Sequence, residues 1–446
     1  MLWPDELWPQ EIGALAVLDG SSLLEPGGRF RIEAVREAIE ARLHLVPRFR
    51  QLLYIPRRGL GPPLWVDALG FNLDDHVRVA PVPAPGDEAQ LLIMTEQLRR
   101  QRLDRSRPLW EMWFLPGLPQ ERVGLFVRIH HVIADGIAGV ATVGAFLDAA
   151  AAAPSGSGPP WIPAPPPTAG ELIAENLRRQ VARLGSALSA LTRPVASFRP
   201  VQAAWPMVRG LVAEPRTPGT SLDRVVGPHR HLALIRSNLD VVKRIAHSYD
   251  AKVNDVLLTL VAGGLRALLR SRGELVDDMI MRTYVPVTLR HGNRDHPRGN
   301  LIGQIVVRLP IGLADPGQRL RQIVAETAEQ KLRSHPSLGT LLRSRIARSA
   351  LLKVLDRQPV NVTTADLPGP QTPKYLVGAL LAEVFPVLPL IGKVPLGVGA
   401  LSYAGQFNIM VVADREACPD LDIFTASLEE ELRVLEEHRH NPALAD

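Results

Sequence analysis

Cysteine is almost missing from this chain. Cys418 is the single one in 446 residues, so no disulfide can form within it. Nothing beside Cys418 offers an activating base, which leaves a thiol nucleophile without support. A long apolar run is missing too. The nearest approach, 375–403, is interrupted by Glu383, Pro386, Pro389, Lys393 and Pro395. It falls short of the ~20 clean residues of a membrane helix and reads as loop and buried strand. The opening Met1-Leu2-Trp3-Pro4-Asp5-Glu6 sets acids and a proline where an export leader carries positive charge and an apolar stretch. A cytoplasmic location with peripheral membrane association is therefore expected. There is no G-x-S-x-G elbow for a serine nucleophile, and no compact basic and aromatic repeat of the kind that binds nucleic acid. The charge excess is modest, 51 − 46 = +5, and carried mostly by arginine. It fits anionic partners such as coenzyme A phosphates or an anionic membrane surface.

With 46% hydrophobic and 22% charged residues, the chain is rich enough in core to fold as two domains or one bilobal unit. One stretch carries chemistry: Arg128-Ile129-His130-His131-Val132-Ile133-Ala134-Asp135-Gly136. Before it, Val123, Leu125, Val127 and Ile129 recur at period two and read as a strand over 122–129. After it, the alanine-rich segment 137–150 reads as a buried helix. Neighbouring side chains on a strand point to opposite faces. One of the two imidazoles can thus face a reaction site while the other faces packed protein. An imidazole that titrates near neutrality is the usual general base for an alcohol or amine. Adjacent histidines diverge and no cysteine or carboxylate cluster lies near them, so a metal site is not expected.

Along the chain, 1–150 mixes strand (12–18) and helix (32–45, with Val35, Ala38, Ile39 and Leu43 on one face). Residues 149–169 hold Ser155-Gly156-Ser157-Gly158 and seven prolines, Pro154, Pro159, Pro160, Pro163, Pro165, Pro166 and Pro167. They open a linker and crossover helix assigned to 151–220. That helix, 171–191, bears an apolar stripe of Leu177, Val181, Leu184, Leu188 and Leu191 opposite Arg178, Arg179 and Arg183. Packing on its own protein is the expectation, and a membrane-surface helix the alternative. The second half, 221–446, reads as helix 239–248, then Asn254 or Asp255 as N-cap of helix 256–270. Strands follow at 279–286 and 302–309. A basic amphipathic helix at 341–357 carries Arg343, Arg345, Arg348 and Lys353, and an acidic, surface-like helix at 424–437 ends the pattern.

The stretch His130 to Gly136 resembles, in every fixed position, the HHxxxDG motif of the CoA-dependent acyltransferase superfamily. Flanking blocks narrow the likeness to the bacterial wax ester synthase/diacylglycerol acyltransferase family over nearly the whole chain. Pro108-Leu109-Trp110 is similar to its PLW block, Asn254-Asp255 to its ND block, and Pro286-Val287-Thr288-Leu289-Arg290 to its PVSLR strand. Gly299-Asn300, Arg308-Leu309-Pro310, Leu401-Ser402-Tyr403-Ala404-Gly405 and the opening Ile12 to Val17 also fit. Three segments depart from the family. The start is short, the TNVPGP block stands as Ala365-Asp366-Leu367-Pro368-Gly369-Pro370 with an acid for an amide, and Gly397 and Gly399 replace bulkier residues.

The resemblance implies an α/β fold of two similar chloramphenicol-acetyltransferase-like lobes with a substrate tunnel at their interface. It implies that His131 is the general base, that His130 and Asp135 are structural, and that Arg290 is the partner of Asp135. Gly136 lets the backbone pass where a side chain would clash. Asn254 suits an oxyanion donor or a helix cap, beside Asp255. Trp110, with Pro108 and Leu109, suits a channel wall or ordinary core, and Ser402 and Tyr403 suit the acceptor pocket. The implied activity is acyl transfer from acyl-CoA to diacylglycerol or a fatty alcohol, with no cofactor beyond the acyl-CoA substrate. Two alternatives remain: a relative acting on a polyketide diol, sugar or amine, and an inactive lipid-surface protein. Oligomeric state is not legible.

Overall fold

The strand carrying the histidines lies at the centre of a sheet. In the computed structural model, which describes residues 8–57, 60–134, 136–152, 158–191, 219–288, 302–333 and 360–440, β6 (Arg122–His130) pairs antiparallel with β1 (Glu11–Asp19) and β5 (Trp110–Pro116). Beyond β5 lies β4 (Val77–Val79). Beyond β1 lie β12 (Ala379–Val387) and β11 (Tyr375–Leu376). Both faces of β6 are covered. Val123, Leu125, Val127 and Ile129 pack with Trp110, Met112 and Phe114 against α1 (Ile32–Glu40), and Phe126 faces the other way. A two-stranded ribbon of β2 (Gln51–Tyr54) and β3 (Leu64–Asp67) stands apart, and α2 (Glu88–Arg100) covers the sheet's second face.

The second sheet runs in the order β7-β14-β13-β10-β8-β9. Its strands are β7 (Arg230–Asn238), β8 (Met281–Thr288), β9 (Ile302–Leu309), β10 (Val362–Pro368), β13 (Leu396–Tyr403) and β14 (Gln406–Asp414). One face carries α5 (Leu239–Ser248), α6 (Val253–Ser271), α7 (Pro316–Arg333) and α8 (Leu421–His440). The other meets the first sheet: Leu15, Val17, Phe126, Phe385 and Val387 pack with Met410 and Val412. Arg236 of β7 reaches across to Glu88 and Glu383, each at 2.6 Å.

The two lobes therefore match the sequence reading, but not as contiguous pieces. β11 and β12 come from the assigned second half and complete the first sheet, β12 covering the edge of β1 from Gly13↔Val387 to Leu18↔Leu381. An uncovered edge invites pairing with another chain, and here the protein supplies that strand itself. Division at 221 missed this because strand periodicity does not say which sheet a strand joins.

Three further expectations change. The segment after the histidines is helical only over α3 (Gly136–Gly144), then turns so that Asp148 bridges Tyr375. The final helix is not a surface element. It buries Phe424, Leu428 and Leu435, and a Cβ on Gly264 of α6 would lie 2.4 Å from Leu428, so the two helices meet at glycine. Glu431 on that helix pairs with the fully buried Arg319. The crossover helix is α4 (Ala169–Leu191), but the two stripe residues whose side chains are described do not pack on described residues: Leu177 and Val181 are 60% and 61% exposed, as is Ile173 one turn earlier at 53%. The basic helix at 341–357 lies outside the described residues.

Candidate active site

The motif turns where the strand ends. His130 is the last residue of β6, and His131 already belongs to the turn leading to α3. Backbone bonds hold the turn on two sides. The His130 N–H donates to the Leu109 carbonyl at 2.9 Å, and the His131 N–H donates to the Gln10 carbonyl at 2.8 Å. His130 is buried, and its Nδ1 accepts the Val132 N–H at 3.1 Å. That bond leaves the His130 ring committed to shaping the turn. His131 is half-buried. The two histidines thus differ in burial, and the strand ends between them.

Beneath His130 lies a charged cluster that the sequence reading did not single out. Arg128, two residues back on the same face, is almost fully buried and pairs with Glu11 at 3.1 Å and Glu111 at 2.7 Å, and also donates to the Gln101 carbonyl. Glu11 sits directly opposite His130 in the β1–β6 register. Burial pushes the Glu11 carboxyl up, and the Arg128 charge opposes that shift. A charged residue at period two inside an otherwise apolar strand was the available signal.

Asp135 and Arg290 both lie outside the described residues, and so does their pairing. Gly136 heads α3 against the second lobe, where a Cβ would come 3.1 Å from Leu367 Cδ2 at the end of β10. A larger side chain would push the histidine turn away from β10. Asn254 lies at the same end of the second sheet. The far end of α6 is fixed where β9 and β14 finish: Arg266 donates to the Ile311 and Gly312 carbonyls, and Arg272 binds Ala417 and Asp420. The α6 N-terminus must then lie toward the ends of β8, β10 and β13. The cap itself is a correction. Lys252, not Asn254 or Asp255, is the N-cap residue. Asp255, in the first turn, accepts the Lys252 N–H at 2.9 Å and the Thr327 hydroxyl of α7 at 2.9 Å. Asn254 is half-buried and relieved of capping.

The residues expected to line a channel are all buried in the described fold. Trp110 is fully buried, stacked on Phe49 at 4.3 Å and His76 at 4.6 Å, with its indole N–H donating to the Phe49 carbonyl at 2.9 Å. Pro108 and Leu109 are buried, and the Leu109 carbonyl is what holds His130. The PLW block therefore acts as the neighbouring strand that positions the motif. The Tyr403 hydroxyl donates to the Leu381 carbonyl at 2.8 Å and accepts the Lys374 N–H at 2.9 Å, stitching β13 to β12 across the lobes. Ser402 is buried in the same seam, its carbonyl accepting the Gly369 N–H at 2.9 Å. Cys418 is buried, and burial pushes its thiol up to about 12, leaving a poor nucleophile. Among the described residues, no group of three or more His, Cys, Asp or Glu is placed to hold a metal.

Comparisons with known proteins bear on the family and the fold. The wax ester synthase/diacylglycerol acyltransferase catalytic domain matches residues 5–257, and the C-terminal domain of the same family matches 298–436. A probable diacylglycerol O-acyltransferase, tgs1, of Mycobacterium tuberculosis is 28% identical over 432 residues, covering 94% of this chain and 89% of its own. The wax ester synthase/diacylglycerol acyltransferase from Marinobacter aquaeolei VT8 superposes with a TM-score of 0.68 at 22% identity, covering 98% of this chain and 96% of its own. The first condensation domain of the calcium-dependent antibiotic synthetase shares the fold at a TM-score of 0.60 and 16% identity, covering 97% and 92%. Two matching domains in the right order, on a bilobal fold with the histidine turn at its junction, make this chain a member of the wax ester synthase/diacylglycerol acyltransferase family.

Proposed function

We propose that the protein transfers a long-chain acyl group from acyl-CoA to diacylglycerol, forming triacylglycerol, and to fatty alcohols, forming wax esters. His131 is the general base. The observation that carries this reading is the contrast within the motif: the His130 ring is spent on the turn, while the backbone-anchored His131 remains half-buried at the lobe junction. His131 takes the acceptor's hydroxyl proton as its oxygen forms a bond to the thioester carbonyl carbon. The C–S bond then breaks, and the proton passes to the departing thiolate as free CoA. No covalent acyl-enzyme enters, in keeping with the inert Cys418 thiol. Asn254 is the side chain proposed to donate to the oxyanion, supported by its position in the first turn of α6, where backbone N–H groups also favour negative charge. Acyl-CoA is a substrate here, and the chemistry calls for no further cofactor.

His131→Ala tests the assignment. Ester formation from palmitoyl-CoA falls by about 10²–10⁴-fold with the unfolding midpoint unchanged. Retention of most activity in the folded variant removes His131 from the reaction.

Lipid substrates call for a lipid surface, and α4 is the segment proposed to meet it. No helix of the described residues is long and apolar enough to cross a membrane. Ile173, Leu177 and Val181 instead form an exposed row beside the exposed Arg178 and Arg179, a pattern suited to lying in an anionic interface. Flotation with phosphatidylglycerol-containing liposomes checks it. Leu177→Ser/Val181→Ser lowers the bound fraction by about tenfold, whereas His131→Ala floats as the parent does.

A further inference from the structure

The second sheet forks. β10 pairs with β13 along its whole length, from Val362↔Leu396 to Pro368↔Ser402, but with β8 only at Val362↔Thr283 and Thr363↔Tyr284. β8 continues against β9 as far as Thr288. From 364 to 368, β10 therefore has no strand on its β8 side among the described residues. Thr364 closes the base of the fork. Its hydroxyl shares a hydrogen bond with Thr283 at 3.2 Å and reaches the Tyr284 carbonyl at 3.3 Å.

Above that base stand two neighbours with opposite outlooks. Leu367 faces the first lobe and touches the Gly136 position at the head of α3. Asp366 shares the face of Val362 and Thr364, which is the α6 side. The carboxyl of Asp366 is half-buried, and among the described residues it has no hydrogen-bond or ion-pair partner. Burial alone pushes it up to about 6. The other withdrawn acids among the described residues are served. Glu11 and Glu111 have Arg128, Asp255 has Thr327 and the Lys252 N–H, and Asp414 has Arg230 and the Gly227 N–H.

A withdrawn carboxylate with no donor is costly unless a ligand brings one. A hydrocarbon chain brings none, and an ester carbonyl offers only more lone pairs. A hydroxyl supplies what is missing. An amide at this place, as the family's block has, could donate to an ester carbonyl, and an ionised acid cannot. We infer that Asp366 is an acceptor-recognition residue whose carboxylate takes a hydrogen bond from a second hydroxyl on the acceptor. Among single-chain acceptors, a lipid with a hydroxyl to spare, such as a monoacylglycerol or long-chain diol, is then preferred over a simple fatty alcohol, whereas a diacylglycerol, whose one hydroxyl is the one acylated, draws nothing from Asp366. The inference rests on the acyl-transfer reading for its setting, but it is tested by binding.

Equilibrium binding of 1-monooleoylglycerol and of 1-hexadecanol, in the same detergent at pH 8, is measured for the parent protein, Asp366→Asn and Asp366→Leu, each checked for folding. The parent binds monooleoylglycerol at least about tenfold tighter than hexadecanol. That ratio drops to within about twofold in Asp366→Leu and by about threefold or more in Asp366→Asn, since hydrogen bonds to charged groups are roughly twice as strong as neutral ones. A ratio that stays unchanged on substitution overturns the assignment. If the leucine variant does not fold, the asparagine variant decides. Turnover of both lipids with palmitoyl-CoA is followed in parallel. Absence of product with the binding ratio intact refutes acyl transfer and leaves the role of Asp366 standing.

Discussion

The acids around Arg128 and the acid at Asp366 are both drawn away from water, on either side of the histidine turn, and their surroundings are opposite. Glu11 and Glu111 converge on one buried guanidinium, which also donates to the Gln101 carbonyl. Asp366 is held at the rim of a fork without any described partner. The first arrangement immobilises strand β6 beneath His130. The second leaves a hydrogen-bonding need that nothing else in the described fold meets. A buried charge surrounded by partners is a structural element, and one without partners at a lobe junction points to a ligand.

The paired side breaks most severely. Removing Arg128 strands two carboxylates, and Arg128→Ala is expected to cost about 3–5 kcal/mol in urea unfolding. An unchanged midpoint would show that the cluster contributes nothing. The seam between the lobes comes next. Tyr403→Phe deprives the Leu381 carbonyl and the Lys374 N–H of their shared hydroxyl, for a loss of about 2 kcal/mol by the same measurement.

The unpaired side responds with the opposite sign. The folded carboxyl of Asp366 holds its proton up to about 6, above its ordinary value of 3.8. Between those values the native state binds more protons than the unfolded one, so stability falls as pH rises through that window. Asp366→Asn is therefore expected to stabilise the protein by about 1 kcal/mol above pH 7, allowing for partial solvation, and to change nothing below pH 4. Denaturant midpoints at pH 4 and pH 8 check this. A variant less stable at pH 8 would mean that the carboxylate has a partner after all, and would blur the contrast.

Much of this was legible in the chain. Period-two residues gave β6, and the strand read over 302–309 and the helix read over 239–248 match β9 and α5 to the residue. The motif pointed to the right turn, because local spacing alone brings His130, His131 and Gly136 together. What escaped were matters of company. Trp110 looked as fit for a channel as for a core until Phe49 and His76 closed on its faces. Leu177 and Val181 looked like a packing stripe, yet no described residue covers them.

The order of side chains along the chain, by itself, determined the elements, the histidine turn and the family, since each depends on residues a few positions apart. Only the folded chain decided that β12 completes the first sheet, that Arg128 gathers Glu11 and Glu111, and that β10 parts from β8 below Asp366. Apart from Arg128 and Glu111, which are 17 positions apart, those contacts join residues about eighty or more positions apart. Their formation depends on which apolar faces find each other, and no local periodicity encodes that.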